Sequence, residues 1–425
     1  MARLKTPQDA HALINLLAHQ LTGREDLTAT DTSSFVSVGE KILTYPIENV
    51  MNTLGMLVTK TMIDVQPYDE KLKLIDESDM GEYSNIVRTI SFYSKDAQAS
   101  GDWNTQLHTN LAMGFDNGSN PNANGNAQST ASMWEQNPAV PLEMNFGGLS
   151  VWEDSMTFYK RALKQAFRNE QEFNDFINGQ VTEKSNDMKT QKESFNRVTL
   201  LNFMGGLVDL DASDAKGRVV NLTAAFNAKF GTSYTSAQLR TTHLADFMKF
   251  FTSVYKQYAR RLTYRQLGFH WSPAKQVDGV DYYLLRSTPY TQQKAFMYGP
   301  LFDDARAQVF PEIFHDEYLL KENFEEVDFW QAYDNVNTND VNASINVVPA
   351  IPTNTGEQTA GAAVSLDYVV GMIFDKRALA THYSYEDSEA TPIEARKRFW
   401  NIWYSMGRNS INNFTHNAVL FIMKD

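Results

Sequence analysis

Two stretches of the sequence carry acidic side chains at a spacing that could do chemistry. The first, DLDASDAKG, runs from Asp209 to Gly217 and is similar to the start of a calcium-binding loop. Such loops need a glycine at the sixth position for a sharp turn and a glutamate at the twelfth that binds the ion. Here those positions hold Asp214 and Val220. The segment is therefore predicted to be a solvated turn.

The second stretch is FHDEYLLKENFEEVDFW, in which His315, Asp316 and Glu317 cluster beside the acidic Glu325, Glu326 and Asp328. Paired carboxylates can act as acid and base. A charge run between aromatic residues more often forms a solvated or interface face, which is the interpretation we favour. The common phosphate-binding, nucleophile-elbow and zinc-protease motifs are missing, and the eight histidines show no ligand spacing. The sequence therefore predicts no catalytic residue, no metal site and no cofactor.

The composition excludes further classes of function. The 425 residues include 42% hydrophobic and 12% aromatic residues, enough for a large core. A formal net charge of −13 argues against binding nucleic acid by neutralising phosphates, and the lack of cysteine excludes disulfides and thiolate sites. The longest apolar run, Val369 to Phe374, is too short to span a bilayer, and no signal peptide is evident. We expect a protein made in the cytoplasm without a membrane partner.

The most unusual stretch, residues 116–130, reads DNGSNPNANGNAQST and has no large apolar side chain. Strand-like segments flank it at Asn85 to Ser94 and at Pro141 to Phe146. A long structureless connection inside a compact domain is often functional. Side-chain amides both donate and accept hydrogen bonds, so its five asparagines are candidate contacts with a neighbouring subunit: Asn117, Asn120, Asn122, Asn124 and Asn126.

Elements before this stretch form an arm with too little apolar surface to fold alone. Thr6 and Pro7 predict the start of a helix that ends at Gly23, a polar stretch runs to Ser34, and a second helix is expected from Pro46. Residues 62–75 are predicted to be extended.

Two helices are predicted after the polar stretch. Ser150 and Glu153 form a capping box, which indicates a helix with Trp152, Met156, Tyr159 and Leu163 on one face. A longer helix runs from about Gln171 to Met204 and is ended by Gly205-Gly206. We expect it to lie across a sheet with a thin apolar stripe inward: Phe173, Ile177, Val181, Met188 and Phe195.

The remainder of the chain mixes helix and strand. A helix is expected from about Thr241 to Arg261, and Asp278-Gly279 predicts a hairpin turn. The stretch from about 335 to 363 is expected to hold strands and loops. Three strand-like runs follow, DYVVGMIF, RFWNIWYSM and NAVLFIM, and the last is expected to tie the chain end into a sheet.

This order of elements, together with the closing segment from Val369 to Met423, resembles the major capsid proteins of tailed bacteriophages, which have the Hong Kong 97 type capsid fold. The resemblance implies an α+β fold with an N-terminal arm, an extended β-hairpin loop, a long spine helix, and peripheral and axial domains. It places them as follows: 1–62 helical arm, 63–78 and 366–425 peripheral strands, 79–148 extended loop, 149–206 peripheral domain with the spine helix, and 207–365 axial domain.

The function implied is a shell protein of the virion. Hexameric and pentameric capsomers would form an icosahedral shell that encloses double-stranded DNA without binding it specifically. The chain length favours a short-tailed phage. Capsid-like sequence begins almost at Thr6, so we expect a separate scaffolding protein, together with a portal. The lysine nearest the polar tip is Lys95, which gives no support to crosslinking between subunits.

Two other classes stay open at this point. One is an enzyme with a carboxylate site, which would show activity as a monomer. The other is a surface-layer or adhesin subunit, which would require a secretion signal.

Overall fold

The computed structural model describes residues 7–22, 28–42, 71–79, 86–94, 139–148, 150–159, 170–277, 280–308, 324–333, 340–353 and 357–425. Within them lie seven α-helices: α1 Pro7–Thr22, α2 Thr32–Ile42, α3 Glu170–Asp214, α4 Leu222–Phe230, α5 Ser236–Arg240, α6 Leu244–Leu262 and α7 Gly299–Gln308. Short 3₁₀ helices span Tyr290–Gln292 and Asp340–Ala343.

The same residues contain seventeen strands, so the protein mixes helix and sheet. Their bounds are β1 Asp76–Asp79, β2 Ile86–Phe92, β3 Pro141–Gly147, β4 Ser150–Tyr159, β5 Val219–Asn221, β6 Lys275–Val277, β7 Val280–Tyr282, β8 Gln293–Tyr298, β9 Phe324–Val327, β10 Ile345–Val347, β11 Ala350–Pro352, β12 Gln358–Ala360, β13 Val364–Leu366, β14 Tyr368–Asp375, β15 Leu379–Ala390, β16 Phe399–Asn412 and β17 Ala418–Met423.

A five-stranded sheet in the order β5-β17-β14-β8-β9 forms the centre of the main core. Every residue of β14 and β17 is buried, which is typical of strands covered on both faces. Phe421 of β17 meets Phe251 of α6 edge to face at 5.6 Å, and Phe374 of β14 stacks on Phe296 of β8 at 5.5 Å. The run NAVLFIM therefore anchors the chain end in this sheet, as the sequence predicts.

A second sheet, in the order β1-β15-β16-β4, packs against the long helix α3 through an interface with many polar side chains. Lys184 of α3 is buried, pairs with Asp154 of β4, and lies 5.6 Å from the ring centre of Tyr404. Arg408 of β16 lies 4.4 Å from the ring centre of Phe195. Burial lowers the pKa of Lys184, and Asp187 partly opposes this effect. From Lys184 onward, the inward face of α3 is thus more polar than the predicted apolar stripe. The side chains of Phe173, Ile177 and Val181 lie outside the described part of the helix.

The junction between the two sheets is the turn before β1. The Glu325 carboxylate of β9 accepts hydrogen bonds from the backbone N–H groups of Leu72 and Leu74, the latter at 3.1 Å. Burial raises the pKa of Glu325, although these N–H groups favour its charged form. Lys294 of β8 donates to the Leu74 carbonyl at 2.7 Å and to the Asp76 carboxylate at 2.6 Å. Glu325 belongs to the charge run predicted to form a solvated or interface face, and for this residue that prediction is wrong, because its carboxylate fixes the start of β1.

The helix predicted from Ser150 is wrong, because residues 150–159 form strand β4. Trp152 and Met156 fit one face of a helix, but they also fit the two-residue period of a strand. In the structure Met156 and Phe158 are buried, while Tyr159 is exposed. Ten consecutive residues pair with β16, from Ser150 opposite Arg408 to Tyr159 opposite Phe399.

Helix α3 does not end at Gly205-Gly206 as predicted; it continues to Asp214. The glycines serve close packing: a β-carbon on Gly205 would lie 2.6 Å from the Val347 Cγ2 atom, and one on Gly206 would overlap the ring of Phe414. The solvated turn predicted for Asp209 to Gly217 is wrong in its first part, because α3 runs through it to Asp214. There Asp211 accepts a hydrogen bond from the Arg218 backbone N–H group, and Asp214 pairs with the fully buried Arg218 guanidinium.

Other predictions hold in part. Residues 71–75 form a turn, and Leu72 adopts a positive φ of 62°, so the extended segment predicted over 62–75 is wrong in its described part. Helix α2 and strand β15 were not predicted. Helices α1 and α6, the antiparallel pairing of β6 with β7, and three C-terminal strands confirm the sequence interpretation. The predicted turn residues Asp278 and Gly279 lie outside the described residues. The helix expected from Pro46 lies outside the described residues.

Each of the two larger sheets combines strands from distant segments of the chain. Strands β14 and β17 pair with β5 and β8, whereas β15 and β16 pair with β1 and β4. The C-terminal segment 366–425 therefore contributes to both sheets. The predicted domain boundaries stay a prediction.

The predicted burial of the α3 stripe can be tested at Phe195. Its ring is half-buried beneath Arg408, so we expect Phe195→Ala to lower the free energy of unfolding by about 2 kcal/mol through lost packing and a lost cation–π contact. Val198→Ala is the matched control, since Val198 is 62% exposed and should cost almost nothing. Urea denaturation of both variants measures the difference, and equal midpoints would contradict this packing.

Candidate inter-subunit surface

The polar stretch is carried by an antiparallel pair of strands, as the sequence predicts. Strands β2 and β3 pair over their full length, from Ile86 opposite Gly147 to Phe92 opposite Pro141. Alternate side chains lie on opposite faces of such a ribbon. The five candidate asparagines, from Asn117 to Asn126, lie outside the described residues. The structure therefore describes the base of the predicted extended loop.

One face of this ribbon is directed to the body of the protein. Its residues are half-buried or buried: Val87, Thr89, Ser91, Leu142, Met144 and Phe146. Met144 packs against the main core, and Asn409 of β16 donates a hydrogen bond to the Phe146 carbonyl at 3.1 Å. The ribbon is thus supported along its inner face.

Polar contacts fix the end of the ribbon at which β2 ends and β3 begins. Ser94 and Tyr283 exchange two backbone hydrogen bonds of 2.7 Å. Arg286 donates to the Ser91 hydroxyl at 2.6 Å and to the Thr415 carbonyl at 2.9 Å, which joins the ribbon to the loop before β17. Burial lowers the pKa of Arg286, and nearby Arg377 lowers it further. These contacts hold the ribbon in one orientation.

The opposite face carries an exposed apolar stripe, which we define as Ile86, Ile90 and Phe92. These side chains are 58%, 57% and 60% exposed, respectively. Between them Arg88 pairs with Glu143 at 3.0 Å across the two strands. Large apolar side chains gathered on one rigid face indicate a surface that binds another molecule.

Strand β4 offers a second surface of the same kind. It lies at one end of the four-stranded sheet, and within the described residues only β16 pairs with it. The face turned away from α3 exposes Val151, Tyr159 and Trp403. An exposed edge strand presents unpaired backbone groups that can bind a strand of another chain.

The sequence predicts the asparagines as contact residues and does not predict the apolar stripe. Ile86, Ile90 and Phe92 are separated by even numbers of residues, so the sequence places them on one face of a strand. Whether that face is exposed depends on contacts with distant residues such as Asn409.

The residues examined for chemistry do not come together. Asp211 and Asp214 are held by Arg218, and His315, Asp316 and Glu317 lie outside the described residues. The described part of the chain contains no group of three histidine or acidic side chains placed to bind a metal ion. None of its helices is long and apolar enough to cross a membrane.

Comparison with known proteins gives matches in three dimensions only. No protein-family profile and no curated protein sequence matches this chain. It is similar to a chain in the capsid structure of Staphylococcus phage Andhra, with 9% identity, 86% of each chain covered and a TM-score of 0.48. A chain from a structure of the head fiber and inner core protein gp22 of native bacteriophage P68 shows 10% identity, coverage of 85% of this chain and 89% of that chain, and a TM-score of 0.48.

A third similar chain comes from the capsid structure of cyanophage P-SCSP1u. It is 8% identical, with 85% of this chain and 90% of that chain covered and a TM-score of 0.39.

Proposed function

We propose that this protein is a major capsid protein that self-assembles into the icosahedral shell around the double-stranded DNA of a tailed bacteriophage. The observation that carries the proposal is the rigidly anchored ribbon with its exposed stripe of Ile86, Ile90 and Phe92. Covering each of these side chains would contribute about 1 kcal/mol, since each is already partly buried. Repeated at every contact of a lattice, this is a substantial stabilisation.

Two separate surfaces favour a closed ring over a simple dimer. The stripe and the β4 edge belong to different strands, and a contact between unlike patches of two copies is heterologous. Heterologous contacts repeat around an axis and form rings when the rotation closes. Hexameric and pentameric capsomers are such rings. The role is structural and needs no active site.

The assembly test replaces the stripe by serine at all three positions: Ile86→Ser, Ile90→Ser and Phe92→Ser. We expect a folded, more soluble subunit that no longer forms capsomers or shells, because these side chains contribute little to the core of the free subunit. Sedimentation velocity measures the size distribution. A control with Val348→Ser and Tyr264→Ser removes side chains that are 63% and 50% exposed elsewhere, and should assemble normally.

Two outcomes would contradict the proposal. One is an assembled fraction of the triple variant equal to that of the wild type. The other is loss of assembly in the control alone. A deletion of Asn117 to Gln128 applies the same measurement to the predicted tip, where normal shell yield would show that the asparagines make no essential contact.

The finer assignments are part of the same proposal. In the Hong Kong 97 type arrangement, β2 and β3 are the base of the extended loop within 79–148, and α3 is the spine helix of the peripheral domain 149–206. The axial domain spans 207–365, the helical arm 1–62, and the peripheral strands 63–78 and 366–425. The pairing of β17 with β5 and of β14 with β8 supports close packing of segment 366–425 on the proposed axial domain 207–365. Limited proteolysis that released 207–365 as a folded fragment would contradict that packing.

The proposed partners follow from the charge and from the resemblance. A net charge of −13 is consistent with a shell that encloses DNA without binding its phosphates. A separate scaffolding protein and a portal complete the assembly, the subunit is made in the host cytoplasm, and the phage is short-tailed. Binding of duplex DNA by the free subunit at moderate salt would contradict the proposal that the shell does not bind the packaged DNA.

A further inference from the structure

A shallow groove of about 540 Å³ lies between α4 and α6, on a different part of the molecule from the ribbon. We call it the α4–α6 groove. Its floor consists of Phe226 and Phe250, which are buried and meet edge to face at 5.3 Å. One end is closed by Tyr234 stacked on His243 at 4.1 Å. The floor and end wall are therefore preformed.

The groove also has an unusual aromatic rim. Phe230 stands at the last position of α4, just before Gly231 in the left-handed conformation, and is 51% exposed. It contacts Phe226 at 4.6 Å and Phe250 at 6.1 Å between ring centres. An exposed phenylalanine beside a preformed aromatic floor is a typical anchor point for an apolar side chain of a ligand.

The charges around the groove are unpaired. Lys229 and Lys249 both line it and are exposed, and neither forms an ion pair with a carboxylate of the described residues. The Lys229 ammonium lies 5.5 Å from the ring centre of Phe230 and 5.4 Å from that of Phe250. On a chain with a net charge of −13, two unpaired cations at one aromatic groove stand out.

We propose that the α4–α6 groove binds an acidic segment of another protein, anchored by an aromatic or large aliphatic side chain. The apolar side chain would pack against Phe230, and flanking carboxylates would pair with Lys229 and Lys249. The inference goes beyond the shell function and concerns the isolated subunit as well.

Asp246 favours a polypeptide over a nucleic acid as the ligand. It also lines the groove, is exposed, and forms no ion pair among the described residues. A peptide can donate backbone N–H groups to this carboxylate while its own carboxylates pair with the lysines. A phosphodiester backbone has no such donor.

The test measures fluorescence anisotropy of a labelled short peptide of glutamates and leucines with a central phenylalanine, titrated with the full-length subunit. We expect saturable binding that weakens as salt rises, because the lysines are exposed. Phe230→Ser should weaken binding roughly tenfold, as should the pair Lys229→Glu and Lys249→Glu. Tyr264→Ser and Lys275→Glu are matched controls, since both remove exposed side chains outside the groove and should leave the affinity unchanged.

Four results would overturn the proposal. The first is no saturable binding of the peptide, and the second is binding that both groove variants retain. The third is preferential binding of single-stranded oligothymidylate, which would assign the groove to nucleic acid. The fourth is displacement of the peptide when the subunit self-associates, which would assign the groove to a second copy. Melting curves of the variants equal to the wild type establish that any lost affinity arises in the groove.

Discussion

Gly371→Ala should prevent the five-stranded sheet from forming its native packing. A β-carbon at this position would lie 2.6 Å from the Phe296 carbonyl oxygen and 3.1 Å from the Met297 α-carbon, and would overlap the Met297 sulfur. Gly371 pairs with Met297 on one side and with Phe421 on the other, at an irregular point in the β14–β17 register. Because backbone atoms on a fully paired strand cannot withdraw, we expect a loss of about 3 kcal/mol or more, or insoluble protein.

The control for this substitution is Gly268→Ala. There a β-carbon would meet only the Lys216 carbonyl oxygen at 3.5 Å, which is an ordinary contact. Soluble yield and the urea midpoint measure both variants. A Gly371→Ala protein with the wild-type midpoint would show that β14 and β8 do not approach as closely as described.

Arg218→Met should be the second most damaging substitution. The Arg218 side chain is fully buried, donates to the His270 carbonyl at 2.8 Å, and pairs with the Asp214 carboxylate. Burial lowers the pKa of Arg218, while Asp214 and Asp211 favour its charged form. Removing the cation leaves the buried His270 carbonyl and the Asp214 carboxylate without their side-chain partner, whereas Asp211 keeps its hydrogen bonds from the backbone N–H groups of residues 218 and 219. We therefore expect a loss of about 3 kcal/mol.

Thermal unfolding of Arg218→Met, beside Arg396→Met as a control, tests this account. Arg396 is exposed, and its loss should leave the melting temperature nearly unchanged. If both variants melt together, the ion pair at the end of α3 does not stabilise the fold.

The predictable parts of the fold are those where one periodicity dominates a long segment. Helix α6 has apolar residues at helical spacing, and β14 and β17 are continuous apolar runs. Strand β4 was mistaken for a helix because Trp152 and Met156 satisfy both periods. Strand β15 was missed because its sequence, LATHYSYEDSEA, is polar, and its pairing depends on β16 and β1.

The candidate surface was predictable in its location and not in its detail. Flanking strands and a polar tip indicated the β2–β3 ribbon. Which face of it would be exposed is decided by contacts such as Arg286 with Ser91, which are 195 residues apart in the chain. A local pattern contains no information about such a pairing. Likewise, Gly205-Gly206 signals a helix end by itself, and only the approach of Val347 and Phe414 shows that the two glycines provide space for packing inside α3.

Electron microscopy of the purified protein across a salt series is the most direct test of the proposed shell function. Subunits with a net charge of −13 repel one another, and salt screens this repulsion over a Debye length of about 10 Å at 0.1 M. We predict rings of five and six subunits and closed hollow particles that increase with salt and protein concentration, and that are absent in the triple serine variant of the stripe. A protein that stays monomeric at every salt and protein concentration would contradict the account.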